Sequence, residues 1–374
     1  MISVFRPQYD VDACLEQIRD CLEKGWTGAG YKTIEFEEAW KQYTGFPHCH
    51  FLCNATAGLN LAVRILKEQN GWREDTEIIS TPITFVATNN SIYMNGLKTI
   101  FADVDNTLCL DPKDVRNKIT DKTKAIIFVG MGGNIGKYYE IVEICKENNL
   151  KLILDAAHMA GTRCNGEIPG KEADAVIYSF HVTKNLTTAD GGMVCFKERE
   201  YDELVRKMSW NGIDRTSSPP KYERHYKWKV NVPSVVDAYN GNSIMAAIGL
   251  AQLPHLDEEN QYRRELAKLY LQELQGCQKI RFVEVPDKCD SSQWLFQILV
   301  DDRDGLMEFM EKHGVTCALH YLDNTEYPVY AHLHGTCPKA EYVSEHVISL
   351  PLHMKLTYAD VKYVAGLVKE YIGG

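Results

Sequence analysis

Two charged side chains stand just past the ends of neighbouring apolar runs. The run Leu150–Leu154 is followed at once by Asp155; the run Ala175–Phe180 is followed by Lys184 and then by Thr187-Thr188-Ala189-Asp190-Gly191-Gly192. A carboxylate at one strand end and a primary amine after the next is the pair that pyridoxal phosphate requires. The amine forms an imine with the aldehyde, while the carboxylate pairs with the pyridine nitrogen and keeps it protonated, so that the ring accepts electrons. Taken singly, neither residue is specific, because a strand-terminal Asp can be a helix cap and a loop Lys is usually solvated. Their order, and the motifs around them, carry the reading.

The first of those motifs is Cys53-Asn54-Ala55-Thr56-Ala57-Gly58-Leu59, a strand end running into a helix expected to begin near Gly58. Free backbone N–H groups at a helix start, beside a Thr hydroxyl, form an anion site suited to a phosphate monoester. The bland alternative is an ordinary cap by Asn54 or Thr56. The second motif is Thr81-Pro82-Ile83-Thr84-Phe85. An aromatic ring at a strand's carboxyl end can stack on a planar cofactor, and it can equally be core.

The elements that position these residues are legible as an alternation. Strand candidates are His50–Cys53, Glu77–Ser80, Thr99–Ala102, Ala125–Val129, Leu150–Leu154, Ala175–Phe180 and Met193–Phe196, with helix-like stretches such as Gly58–Gln69 and Tyr138–Asn148 between them. Continuous apolar strands separated by helices predict an α/β fold whose mostly parallel sheet is covered on both faces, with ligands at the carboxyl ends of the strands. After residue 240 the pattern changes to two long helices, Asn242–Leu256 and Asp257–Leu274. A strand pair (Arg281–Val285, Leu295–Val300), a helix near Gly305–His313 and a closing helix Tyr358–Tyr371 then describe a smaller C-terminal α+β domain. The boundary is placed near residue 250, giving domains 1–250 and 251–374.

Composition removes several classes. The 374 residues carry 41 Lys+Arg against 51 Asp+Glu, a net charge of −10, which leaves no broad basic surface for nucleic acid. The apolar and charged fractions, 45% and 25%, are those of a globular chain. No stretch reaches the ~18 uninterrupted apolar residues of a membrane span. Charges at Arg6, Asp10 and Asp12 break up the N-terminus, which is not read as a secretory signal, so a cytoplasmic location is expected. The 12 cysteines are scattered without a CxxC pair and read as reduced, mostly buried thiols. Gly130–Gly136 fails the G-x-G-x-x-G fingerprint at Ile135, no P-loop is present, and the His48/His50 and His332/His334 pairs lack further ligands, so no metal is expected.

The chain resembles the DegT/StrS-type nucleotide-sugar aminotransferases, a branch of the fold type I pyridoxal-phosphate enzymes. The resemblance spans nearly the whole length: Gly25–Gly30 with Phe36-Glu37, Asn54–Leu59, Pro82–Thr88, Phe101–Asp105, Asp155–His158, Ser179–His181 with Lys184, Gly191-Gly192, Ala246–Leu253, His320-Tyr321 and Ser349–His353. It implies that Lys184 is the imine-forming lysine and proton shuttle, and Asp155 the partner of the pyridine nitrogen. It puts His158 near the cofactor's phenolic oxygen, Phe85 on its ring, and Thr56, Ala57 and Ser179 at its phosphate. His181 and His320 fall beside the sugar.

The implied activity is transfer of an amino group from an amino acid, L-glutamate being the expected donor, to a keto carbon of a nucleotide-linked keto-deoxysugar in deoxysugar or polysaccharide biosynthesis. A homodimer with shared sites is implied as well. A related dehydratase branch carries His in place of the lysine, so a sugar dehydratase or other lyase is the runner-up; a non-catalytic sugar-nucleotide sensor on the same fold is the alternative from another class. The sequence departs from the family's lettering in two places. Asp190 stands where a Glu is usual, and Ala238 where many members carry a polar residue that reaches the neighbouring subunit's phosphate, with Asn231, Asn240 and Asn242 as candidate replacements.

Overall fold

The computed structural model describes residues 1–214 and 230–373. Its strands are β1 (His48–Leu52), β2 (Glu77–Ser80), β3 (Lys98–Phe101), β4 (Thr123–Val129), β5 (Lys151–Asp155), β6 (Arg163–Cys164), β7 (Ala175–Ser179), β8 (Gly192–Phe196), β9 (Arg281–Phe282), β10 (Cys289–Asp290), β11 (Phe296–Leu299) and β12 (Val347–Leu350). The helices are α1 (Val11–Glu23), α2 (Tyr31–Thr44), α3 (Ala55–Asn70), α4 (Ala87–Met94), α5 (Pro112–Lys118), α6 (Tyr138–Glu147), α7 (Arg199–Met208), α8 (Ser243–Gln252), α9 (Leu256–Leu274), α10 (Arg303–Lys312), α11 (Pro338–His346) and α12 (Tyr358–Gly373).

A seven-stranded sheet in the order β1-β8-β7-β5-β4-β2-β3 forms the centre. The strands β7, β5, β4, β2 and β3 are parallel, and β8 runs antiparallel between β7 and β1. The apolar runs are continuous because both faces are covered, and the two-residue period of a strand divides each run between them. Ile126, Phe128, Leu152, Leu154, Val176 and Tyr178 join Phe36 and Trp40 of α2 on one face. Ala125, Ile127, Ile153, Ala175 and Ile177 meet Leu59, Leu61 and Leu66 of α3 on the other. The expected strands of the large sheet are all present, with bounds shifted by a residue or two, while the expected strand Arg281–Val285 is confined to Arg281–Phe282.

One expectation needs correction. The helix expected near Gly58 begins at Ala55, because Asn54, in extended backbone, caps it by accepting the Ala57 N–H at 2.8 Å. A second, three-stranded sheet, β12-β11-β9, packs with α9 and α12 around Leu266, Tyr270, Phe296, Ile298, Ile348 and Val364. Buried polar joints tie this part to the large sheet. Ser292 donates to the His158 carbonyl at 2.6 Å, Asn185 to the Asn260 side chain at 2.7 Å, and Asn89 to the Asn324 side chain at 2.9 Å.

Among the described residues no helix is long and apolar enough to cross a membrane, and no group of His, Cys, Asp or Glu could hold a metal ion. His50 instead bridges Glu37 and Ser209, each at 2.8 Å. The described cysteines are all free thiols.

Candidate active site

The carboxyl ends of β1, β2, β4, β5 and β7 lie along one edge of the sheet, and the residues there open onto a cavity of about 400 Å³. Asn54, Thr56, Thr84, Phe85, Thr88, Asp155, His158, Ser179, His181 and Lys184 line it from the large sheet. Trp294, His320 and Tyr321 close it from the C-terminal part, and Phe5 from the N-terminus.

Asp155 ends β5 inside the protein, 4% exposed. Burial raises its carboxyl above the ordinary value, opposed by a 2.7 Å hydrogen bond from the Thr88 hydroxyl, a 3.1 Å bond from the Ala157 N–H, and the charge of Lys184. Thr88 sits on the first turn of α4, one turn after Thr84, whose hydroxyl oxygen is 2.9 Å from its own. Because Thr88 spends its proton on the carboxylate, Thr84 is the donor to Thr88.

Lys184 follows β7 in a loop closed by its own N–H donating to the His181 carbonyl at 2.8 Å. Its Nζ lies 3.5 Å from the centre of the Trp294 ring. Burial lowers the amine from its ordinary 10.5 to about 7, with Asp155 pulling the other way, so a large fraction is the neutral nucleophile at neutral pH. Trp294 is held in place by its indole N–H donating to the Thr183 carbonyl at 2.8 Å, and its ring stacks on His158 at 3.9 Å.

The tautomer of His158 follows from its contacts. The Gly132 N–H donates to Nδ1 at 3.3 Å, and burial together with Lys184 and His320 holds the ring neutral, so the proton resides on Nε2 and points to the Tyr321 hydroxyl at 3.3 Å. This gives the Gly130–Gly133 turn its use: it orients His158. His320 is likewise neutral, pushed down to about 4 by burial and by Lys184, with Nδ1 2.9 Å from the Ser349 hydroxyl.

The anion end of the cavity is the start of α3. Asn54 takes the Ala57 amide, which leaves the first amides, those of Ala55 and Thr56, without an intrahelical acceptor, beside the Thr56 hydroxyl. Both sequence readings therefore hold at once: Asn54 caps, and the remaining donors face the cavity. Ala57 itself is buried away from the wall. Gly192 permits this arrangement, since a Cβ there would lie 2.5 Å from the Ala55 nitrogen and 2.5 Å from the Asn54 carbonyl carbon. Ser179 is on the wall and accepts the His181 N–H at 3.3 Å, while His181 turns Nδ1 toward the Thr183 hydroxyl at 3.1 Å. Phe85 is 56% exposed with its ring 6.1 Å from that of Tyr321, so it is a rim residue rather than core.

The structure thus brings together every residue singled out in the sequence except Ala57, and adds Thr88, Trp294 and Tyr321. Thr88 had a signal, its place four residues after Thr84 at the end of the Pro82–Thr88 match, and Tyr321 stood beside His320 in the resemblance; Trp294 arrives through long-range packing and had none. Of the candidates to replace a polar residue at Ala238, Asn242 caps α8 by accepting the Met245 N–H at 2.9 Å and Asn240 accepts the Ser209 hydroxyl at 2.8 Å. Asn231 pairs with Asp214 through a backbone bridge.

An amine lowered to about 7, a buried carboxylate with its own donors, a set of helix-start amides and room for a flat heteroaromatic ring suit pyridoxal phosphate in one cavity. Residues 8–369 match the DegT/DnrJ/EryC1/StrS aminotransferase family, and the chain belongs to it. It is a pyridoxal-phosphate-dependent enzyme of the sugar aminotransferase class.

It is 31% identical to an uncharacterized protein of Methanocaldococcus jannaschii and 28% identical to the spore coat polysaccharide biosynthesis protein SpsC of Bacillus subtilis, in each case over 96% of this chain and 94% of the relative. Among solved structures, the aminotransferase TlmJ of Streptoalloteichus hindustanus superimposes with a TM-score of 0.91 at 30% identity, covering 100% of this chain and 99% of that one. The putative sugar aminotransferase Spr1654 of Streptococcus pneumoniae, solved in PLP-form, gives 0.88 at 26% identity over 99% and 98% of the two chains. DesI, solved in the presence of its TDP-sugar product, gives 0.88 at 26% identity over 99% and 93%.

Proposed function

We propose that the enzyme moves an amino group from L-glutamate to the keto carbon of a nucleotide-linked keto-deoxysugar. The observation that carries this reading is Lys184: a partly buried residue whose amine desolvation brings near neutrality, in one cavity with Asp155 and the open end of α3. When bound, pyridoxal phosphate supplies an aldehyde carbon for that amine and a ring that takes up an electron pair.

The residues divide the remaining work. Asp155, held ionised by Thr88 and the Ala157 amide, is placed to keep a proton on the ring nitrogen. The α3 amides, Thr56 and Ser179 would hold the phosphate, and Phe85 would cover the ring from the rim. Lys184, as a free amine, would accept the proton from the amino acid's α-carbon and hold it on Nζ, a role suited to an amine lowered to about 7. His158 stays neutral and donates through Nε2. His181 and His320 face the sugar. Running the same steps in reverse on the ketone makes the reaction ping-pong.

The nucleotide sugar is supported by the DesI complex, and a role in deoxysugar or polysaccharide biosynthesis by the name of SpsC. We place the enzyme in the cytoplasm as a homodimer that shares its sites; exposed Leu22, Trp26 and Ile34 near α1 and α2 are apolar surface that a second subunit would cover. A division into domains 1–250 and 251–374 is supported by the separate apolar cluster under the three-stranded sheet.

The test is spectroscopic. Protein loaded with pyridoxal phosphate is mixed with L-glutamate, L-aspartate or L-alanine while the cofactor band is followed, then with nucleotide-linked keto sugars while the product is weighed by mass spectrometry. Glutamate should bleach the band, the right keto sugar should restore it and gain an amine, and Lys184→Ala should do neither. A sugar product that loses water without gaining nitrogen would replace the transferase with a lyase.

A further inference from the structure

Behind Lys184 lies a second, smaller cavity that the amino-transfer chemistry does not use. Phe5, Thr183, Lys184 and Trp294 line both spaces and form the wall between them. The far side of the small cavity is built from Arg6, Gln8, Asn185, Glu259, Arg263 and His353.

Arg263 is the unusual member. It lies on α9 and is only 8% exposed, and its Nη1, fully shut from solvent, has no hydrogen-bond acceptor among the described residues. Its ionic neighbour, the Glu259 carboxylate, is 3.6 Å away, beyond hydrogen-bond length. The polar groups nearby are engaged elsewhere: the Asn185 amide donates to Asn260 at 2.7 Å, and the two ring nitrogens of His353 meet the Ser3 carbonyl at 3.1 Å and the Lys355 N–H at 3.2 Å. A buried guanidinium has five donors in a fixed fork, and leaving them unmatched is costly. The strain shows in both partners, since burial lowers the proton affinity of Arg263 and raises that of Glu259.

Charge and size then define what fits. Arg263, Lys184 and, at the exposed mouth, Arg6 line the cavity with the single carboxylate of Glu259, so its wall carries more basic than acidic groups. The centre of a water-sized sphere has about 20 Å³ in which to move, and about 10–15 Å³ suffices for one water. There is room for one small group and none for a phosphoryl group, a sugar or a nucleotide.

We propose that this cavity is a binding site for one small monovalent anion, a halide or the head of a simple carboxylate such as formate, held by Arg263 and Arg6 behind the wall that carries Lys184. The site stands on geometry alone and is independent of the identity of the amino donor and the sugar.

The test uses the full chain loaded with pyridoxal phosphate. It is titrated with sodium chloride and then sodium formate, with ionic strength held by sodium sulfate, whose dianion is too large for the cavity. Tryptophan fluorescence reports on the wall through Trp294, and the unfolding midpoint reports binding to the folded state. Both should respond saturably to chloride or formate. The double variant Arg263→Gln/Glu259→Gln, which removes the ion pair without stranding either charge, should bind about ten- to a hundredfold more weakly. Arg6→Gln, at an exposed position, should fold normally and also weaken binding. In crystals grown with bromide, an anomalous peak should lie between the two guanidiniums. A linear salt response, a response equal in wild type and variants, or a crystal in which water or a partner-chain oxygen satisfies Arg263 overturns the proposal.

Discussion

The role of Asp155 can be tested without touching Asp155, through Thr88. Thr88→Val keeps the shape of the side chain and removes one donor, the 2.7 Å hydrogen bond to a fully buried carboxylate. A hydrogen bond to a charged group contributes about 1.5–3 kcal/mol, and a pKa shift of one unit corresponds to about 1.4 kcal/mol. Losing it should therefore raise the Asp155 carboxyl further in the direction that burial already pushes it. The sign of the stability effect follows. The folded pKa lies above the unfolded 3.8, so ionised Asp155 destabilises the fold at neutral pH, and that penalty disappears as the pH falls below 3.8. Urea unfolding of the cofactor-free protein across pH should show the variant weaker by about 1.5–3 kcal/mol at neutral pH, with the gap closing in acid. In the loaded enzyme, the glutamate-driven bleaching should slow by about ten- to a hundredfold, and Thr88→Ser, which restores the hydroxyl, should recover most of it. A loss of stability equal at every pH, with bleaching unchanged, would show that Thr88 only packs and that the carboxylate needs no help.

Two further outcomes are expected. Lys184, whose amine falls from 10.5 to about 7, makes the cofactor-free protein less stable at every pH where the unfolded lysine is charged. That penalty, roughly 4–5 kcal/mol below the folded pKa, is relieved as the pH rises from about 7 toward 10.5. Lys184→Met should raise the unfolding midpoint of the cofactor-free protein at neutral pH and flatten its rise with pH; an unchanged profile would show that the amine is not desolvated. Gly192→Ala places a methyl group 2.5 Å from the backbone of Asn54 and Ala55, where overpacking costs about 1–3 kcal/mol. Equilibrium dialysis should show weaker retention of pyridoxal phosphate, since the start of α3 must move; wild-type retention would separate that helix start from the phosphate.

The sheet was legible because its signal is local. Runs such as Ala125–Val129 and Ala175–Ser179 are buried on both faces, so each strand announces itself by composition, and the residue after it announces the site. Asp155, Lys184 and the start of α3 were readable for that reason. The helix starts three residues before Gly58 because Asn54 caps it at the Ala57 amide, and the amides of Ala55 and Thr56 that it leaves free form the anion end. Trp294 was not readable at all. Its segment, Ser291–Leu295, carries no periodicity, and the contacts that matter come from residues more than a hundred positions earlier: Ser292 to the His158 carbonyl, and the Trp294 indole to the Thr183 carbonyl.

That difference has a chemical consequence. The groups that define the reaction class, amine, carboxylate and anion end, stand on the strand ends of one sheet, where position is fixed by hydrogen-bonded register. The groups that set the amine's environment, Trp294, His320 and Tyr321, come from the C-terminal part and are held by a few buried hydrogen bonds. The proton affinity of Lys184 is lowered mainly by desolvation, so it depends on how closely that second part sits on the first. A side chain that loosens the Ser292–His158 joint would admit water above Lys184 and carry its proton affinity back toward that of an ordinary lysine, while leaving Asp155, Thr88 and α3 in place. The groups that define the reaction class thus stand on the sheet, and the proton affinity of the free Lys184 amine depends on the part packed against it.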